Sequence, residues 1–157
     1  MGVKPMSKPL SLYTQADMLR RAYHGCEIKI SRVCLTWRYN MHPSEWSQSY
    51  TVKIRYCRNN KGRWVPSTYI NFPRLLPLAE GQNRLPHVYN HEAQEICLYD
   101  WREHEWDASM SIAETIVPWA SEWLYNYEAW VMTGQWYGGG HYPESEIKKE
   151  TDKEENK

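Results

Sequence analysis

The sequence predicts an α+β fold in which an antiparallel sheet is covered on one side by helices. Three observations carry this: helical periodicity near the N-terminus, alternating segments with hairpin turns as far as residue 72, and a return to helical periodicity after Trp106.

Residues 1–9 are polar, contain Pro5 and Pro9, and are expected to be a flexible N-terminus. From Leu10 to His24 the apolar positions Leu12, Ala16, Leu19 and Tyr23 recur at helical spacing, with Gly25 as the expected C-cap. Residues 27–39 then change period. Ile28 and Ile30 share one phase, whereas Leu35, Trp37 and Tyr39 run on the other, which predicts a bulge or bend near Arg32. The segment from Asn40 to Ser47 reads as a turn. Tyr50, Val52, Ile54 and Tyr56 alternate with Thr51, Lys53 and Arg55, which is a strand pattern. Arg58 to Gly62 reads as a hairpin turn, and a strand follows from Trp64 to Phe72. The expectation is a meander of three strands.

A long irregular section with Pro73, Pro77, Gly81 and Pro86 leads to Cys97, and loops of that length in compact domains tend to carry function. After Trp106, Ser111 and Glu114 fit a capping box, and Ile112, Ile116, Trp119, Trp123, Tyr127 and Trp130 continue at helical spacing. Pro118 is expected either to kink one helix or to start a second, and Thr133-Gly134 to stop it. Gly138 to Gly140 reads as a flexible loop. Residues 144–157 form a charged tail expected to be disordered, so residues 10–143 make up a single domain.

The 157 residues carry 19 Lys and Arg against 19 Asp and Glu, and a neutral chain lacks the electrostatic footprint of a general nucleic-acid binder. No apolar run reaches the length of a membrane span and no secretory signal opens the chain, so the expected location is cytoplasmic, with no membrane partner. Nine Trp and twelve Tyr stand against one Phe. That composition suits a core of large rings whose polar edges reach partners, and the stripe Trp119, Trp123, Trp130 is read as core.

The four cysteines are scattered, without a C-x-x-C pair. Cys34 and Cys57 fall in strand-like segments and are read as free, buried, apolar thiols. Cys97 stands apart, at the end of a polar, Pro-rich loop and before the charged run Asp100 to Glu103, which marks it as a nucleophile. His87 and His91 lie four apart, but their segment is not helical and no fourth ligand has motif spacing, so no metal is expected. The triple glycine is followed by no Lys-Ser/Thr, so it is no phosphate loop, and no cofactor is expected.

The stretch from Leu85 to Trp106 resembles the ubiquitin-conjugating enzymes. Their active-site stretch is His-Pro-Asn, a short loop, and Ile-Cys-Leu, with the His ten residues before the Cys. Here His87 precedes Cys97 by ten and Ile96-Cys97-Leu98 matches the triplet, with Trp106 in place of the family's helix-opening Trp. More narrowly, Leu85 to Tyr89, Cys97 to Tyr99, Trp119 to Leu124 and Thr133 to His141 are similar to bacterial stand-alone relatives of antiviral CBASS operons.

The resemblance implies a ubiquitin-conjugating-enzyme-like fold and a transferase that holds an acyl group as a thioester on Cys97. It implies a structural role for His87 and, as partner, a cGAS-like nucleotidyltransferase whose C-terminus is the acyl donor. The acceptor stays unassigned. The family's Asn, thought to stabilise the oxyanion, is replaced by Tyr89, which leaves Tyr89, the following Asn90, or backbone N–H groups for that task. Asp100, His104, Glu122 and Glu128 are candidates for orienting the acceptor. A non-catalytic scaffold of the same fold and a cysteine hydrolase using His87 or His91 are the competing readings.

Overall fold

The computed structural model describes residues 7–139. Helix α1 (Leu12–Ala22) opens where the Ser11 side chain accepts the Thr14 N–H, and it closes at Tyr23, not at the expected Gly25. Gly25 takes a positive φ of 84° in the turn that follows, where a side chain would be strained.

Residues 27–39 correct the expectation of one bent strand. They form two strands, β1 (Glu27–Ile30) and β2 (Cys34–Met41), folded on each other with Ile28 opposite Trp37 and Ile30 opposite Leu35. The change of phase near Arg32 is therefore a hairpin turn. It is closed by the Ser31 N–H donating to the Cys34 carbonyl at 2.8 Å. Strands β3 (Tyr50–Arg58) and β4 (Trp64–Phe72) follow, so the meander has four strands. Two short strands, β5 (Val88–Asn90) and β6 (Glu95–Ile96), emerge from the section read as irregular, and the antiparallel sheet runs β1-β2-β3-β4-β6-β5.

The register also corrects the reading of two cysteines. Cys34 lies directly opposite Cys57 across β2 and β3, and the two form a disulfide. Their side chains stand on the outer face of the sheet, with alternate residues Leu35, Trp37, Val52, Ile54 and Tyr56 buried on the inner face.

Helix α2 (Ile116–Thr133) packs on that inner face with Tyr127 against Tyr50, and Tyr23 at the end of α1 packs there against Trp37 and Tyr39. Glu128 of α2 accepts hydrogen bonds from the Ser47 and Tyr50 hydroxyls, and the Tyr127 hydroxyl donates to the Pro77 carbonyl. The Ser111 hydroxyl accepts the Glu114 N–H as the capping motif predicts, yet the helix starts a turn later, at Ile116. Pro118 neither kinks nor divides it. The residue sits in the first turn, where a missing N–H leaves no intrahelical bond unmade. Gly134 ends the helix at a φ of 75°, in accord with the expected stop. The tail 144–157, Gly140 and most of the N-terminal segment lie outside the described residues.

Candidate active site

Cys97 follows directly on β6, and its position is set from both sides. The Cys97 N–H donates to the His87 carbonyl at 2.9 Å, one step along the ladder from the Val88–Ile96 pair. The same carbonyl accepts the Trp123 indole N–H at 3.1 Å, so helix α2 and the cysteine hang on one oxygen. His87 achieves this in the left-handed region, at a φ of 47°, which turns its carbonyl inward. Its ring is buried and stacks on Trp136, with centroids 4.8 Å apart.

The loop between β5 and β6 is held by two further side chains. His91 Nδ1 accepts the Leu85 N–H at 3.0 Å. Gln94 is buried with a φ of 52° and uses its whole carboxamide. Its Nε2 donates to the Ile70 and Pro73 carbonyls, and its Oε1 accepts the Leu76 N–H.

Cys97 is less accessible than a carrier thiol is expected to be, at 7% exposure. What remains exposed opens into a cleft of about 470 Å³. Tyr99, Trp119, Trp123 and Trp136 wall that cleft, with Glu105 and Glu122 at its edge. The thiol donates to the Tyr99 carbonyl at 3.6 Å, and the Tyr89 hydroxyl donates to the same oxygen at 3.3 Å. Burial pushes the Cys97 thiol above the ordinary thiol range. A hydrogen bond from Tyr89 pulls it back, while Asp100 and Glu105 add to the upward push. Burial also raises Tyr89, with the neighbouring Cys97 next in size, so at neutral pH the pair is a thiol beside a phenol.

The four residues singled out in the sequence divide here. Cys97, His87 and Tyr89 come together. Asn90 does not join them: its Oδ1 accepts the Ala93 N–H, and with Tyr89, Arg84, His91 and Glu92 it lines a second cavity beside the Cys97 cleft. Among the four acceptor-orienting candidates, Glu122 lines the cleft. Asp100 Oδ1 accepts from the Arg102 N–H and Nε, His104 caps the short helical turn Trp101–Glu103, and Glu128 is bound to Ser47 and Tyr50.

Trp119 and Trp123 are cleft walls, and of the two Trp123 is buried in the core while Trp119, read as core from the stripe, is only partly buried against it. Glu105 and Gln94 carry no signal in the sequence. Trp136 does, as the Trp of the Thr133-Gly134-x-Trp pattern.

Among the described residues no group of three or more His, Cys, Asp or Glu is placed to hold a metal ion, and no helix is long and apolar enough to cross a membrane. No curated protein matches the chain. The family model for the Type II CBASS E2 protein matches residues 15–143. The chain belongs to this family of stand-alone E2-like proteins of CBASS operons, and its role lies in CBASS antiphage signalling.

Proposed function

We propose that the protein is a cysteine-dependent conjugating enzyme that carries the C-terminus of a partner protein as a thioester on Cys97. The partner is the cGAS-like nucleotidyltransferase of the same operon, the site of action is the cytoplasm, and residues 10–143 act as one ubiquitin-conjugating-enzyme-like domain. The observation that carries the reading is the free thiol of Cys97 opening into an aromatic cleft with a phenolic donor, Tyr89, beside it. The order of elements supports it: a helix, a four-stranded meander, a cysteine after β6 and a long covering helix.

In the charging step the Cys97 sulfur attacks an activated carbonyl of the donor. The S–C bond forms, the thiol proton passes to the departing group, and that group leaves. In discharge an acceptor nucleophile attacks the thioester carbonyl, loses its proton, and expels the sulfur, which regains a proton. Both steps pass through an oxyanion, and in this reading Tyr89 turns its hydroxyl from the Tyr99 carbonyl to that oxygen. Tyr89 is preferred to Asn90 for the task because its hydroxyl, and not the Asn90 carboxamide, is among the groups that act on the Cys97 thiol. His87 is a positioning residue, since its carbonyl holds the Cys97 N–H and its ring faces Trp136.

Co-expression with the operon's nucleotidyltransferase, followed by intact-mass analysis, tests the reading. The expected result is a thiol-sensitive adduct on Cys97 that a Cys97→Ser variant converts to an oxyester stable to reductant. Absence of both adducts, with Cys97→Ala still fully protective against phage, overturns it in favour of a scaffold. Cleaved partner without any conjugate overturns it in favour of a hydrolase.

A further inference from the structure

The neutral net charge conceals a strong separation. Residues 28–79 carry nine Lys and Arg against a single acid, Glu45, whereas residues 80–139 carry ten acids against Arg84 and Arg102. The fold turns this division along the chain into a division in space.

Eight of these nine cations, all but Arg74, belong to the meander and its turns, and the inner face of the meander is apolar and buried. Its charges therefore stand on the outer face and at the turns. Alternation puts Lys29, Arg38, Lys53 and Arg55 on the outer face. The β1–β2 and β3–β4 turns lie at one end of the sheet, joined by the Arg58 N–H donating to the Val33 carbonyl, and they add Arg32, Arg58, Lys61 and Arg63. Glu45 is in the β2–β3 turn, at the opposite end. The acids that border the face are Glu27, opposite Arg38, and Glu95, opposite Tyr69.

Two features show that this is more than a solvated surface. Arg38 and Lys53 are direct cross-strand partners, an arrangement of like charges that costs stability in a sheet. Among the described residues, none of the eight cations forms an ion pair. Lys53 instead sits over the Tyr69 ring, 5.9 Å from its centroid, which leaves an aromatic face among the cations.

We propose that the outer face of the meander and its adjoining turns bind the phosphate backbone of a nucleic acid, without regard to sequence. The cations form a track that runs along β3 and over the hairpin end, where Lys53 to Arg58 alone span roughly 17 Å at strand rise. A track of that length suits an extended polyanion better than a compact acidic side-chain cluster. Five of its eight members are Arg, whose planar fork matches phosphate oxygens. The acidic cleft of Cys97 lies away from the track, so binding here leaves that site open. The proposal stands apart from acyl transfer and does not depend on it.

Fluorescence anisotropy of the full chain with labelled random-sequence single-stranded RNA and duplex DNA tests it. Both arms read the same phosphate chemistry, and the stronger one identifies the form preferred. Binding is expected at low salt, weakening by about a hundredfold or more between 50 and 200 mM salt. An Arg38→Gln/Lys53→Gln variant should weaken binding at least tenfold and reduce the salt slope by about 2. The turn variant Arg32→Gln/Lys61→Gln/Arg63→Gln, which removes no ladder residue, should do likewise if the sheet variant folds poorly. Arg20→Gln/Arg21→Gln on α1 makes an equal charge change off the track and should alter affinity less than twofold. Failure of both probes to bind at 50 mM salt overturns the proposal, as does an α1 variant that weakens binding as much as the sheet variant. So does binding to phosphatidylserine vesicles, or salt-sensitive self-association in sedimentation, without binding to either nucleic acid.

Discussion

The Tyr89 hydroxyl and the Cys97 thiol donate to one acceptor, the Tyr99 carbonyl oxygen, at 3.3 and 3.6 Å. A single proton lost from sulfur changes this arrangement. The phenol then has a better acceptor beside it, and its hydrogen bond to the thiolate is what draws the Cys97 pKa down against burial. Tyr89→Phe removes that donor and leaves the ring. Cys97 should then titrate at higher pH than in the parent, read from the pH dependence of iodoacetamide alkylation. If Tyr89 also donates to the oxyanion, acyl transfer falls by about tenfold or more, the value of one hydrogen bond to a charged group. A Phe variant with unchanged titration and transfer would leave Tyr89 as a packing residue only.

His87 meets Cys97 through its backbone. Its carbonyl accepts the Cys97 N–H, while its ring stacks on Trp136. His87→Asn keeps a residue that tolerates the left-handed φ of 47° and removes the ring stacked on Trp136. The expected outcome is an unchanged alkylation pH profile with a melting temperature lower by a few degrees, as a loss of about 1 kcal/mol gives in a domain of this size. A general base would behave in the opposite way: its removal would flatten the pH profile of transfer while leaving the melt in place.

How far these arrangements can be read from the residues depends on their range. The strand alternation of β3 and the periodicity of α2 are local, and both are legible. The β1–β2 hairpin is missed because Ser31 to Val33 lacks the Gly or Asn that marks a turn, so a change of phase looks like a bulge. The Cys34–Cys57 pairing is invisible because 23 residues separate the two and only strand register brings them together. His87 and Cys97 are found through the spacing of a resemblance. Gln94 is not, because a buried carboxamide spanning three backbone groups has no sequence signature. Tyr89 and Asn90 can be separated only in the fold, where Tyr89 acts on the Cys97 thiol and the Asn90 Oδ1 accepts the Ala93 N–H.

Gln94 provides a test of how the cysteine loop is supported. Its carboxamide satisfies the Ile70 and Pro73 carbonyls and the Leu76 N–H, which ties the end of β4 to the turn before Cys97. Gln94→Leu fills the same space and leaves those groups unpaired in the interior. The cost should be about 3 kcal/mol, at the upper end for an unsatisfied buried group because several are stranded together. Urea unfolding measures it as a lower midpoint with an unchanged slope. Gln94→Glu keeps the acceptor for the Leu76 N–H but turns a carboxylate toward two carbonyls, so it should be no less damaging at neutral pH.

The aromatic core sets an alkaline limit to stability. Burial pushes Tyr50, Tyr56 and Tyr99 up from 10.0 to about 12, with coulombic neighbours adding to the shift in each case. An acid whose folded pKa is raised holds its proton in the native state after the unfolded chain has released it. Its contribution is therefore complete below the unfolded pKa and is lost as pH rises toward the folded one. The urea midpoint should be level through pH 9 as far as these tyrosines determine it, then fall between 10 and 12. Tyr56→Phe removes one of the three titrations and keeps the ring against Trp64 and Trp106. That variant should show a shallower alkaline limb than the parent, with tyrosinate absorbance appearing in step with unfolding. A parent midpoint that stays level to pH 12, or tyrosinate absorbance that develops fully near pH 10 in the folded protein, would show that these phenols are open to water.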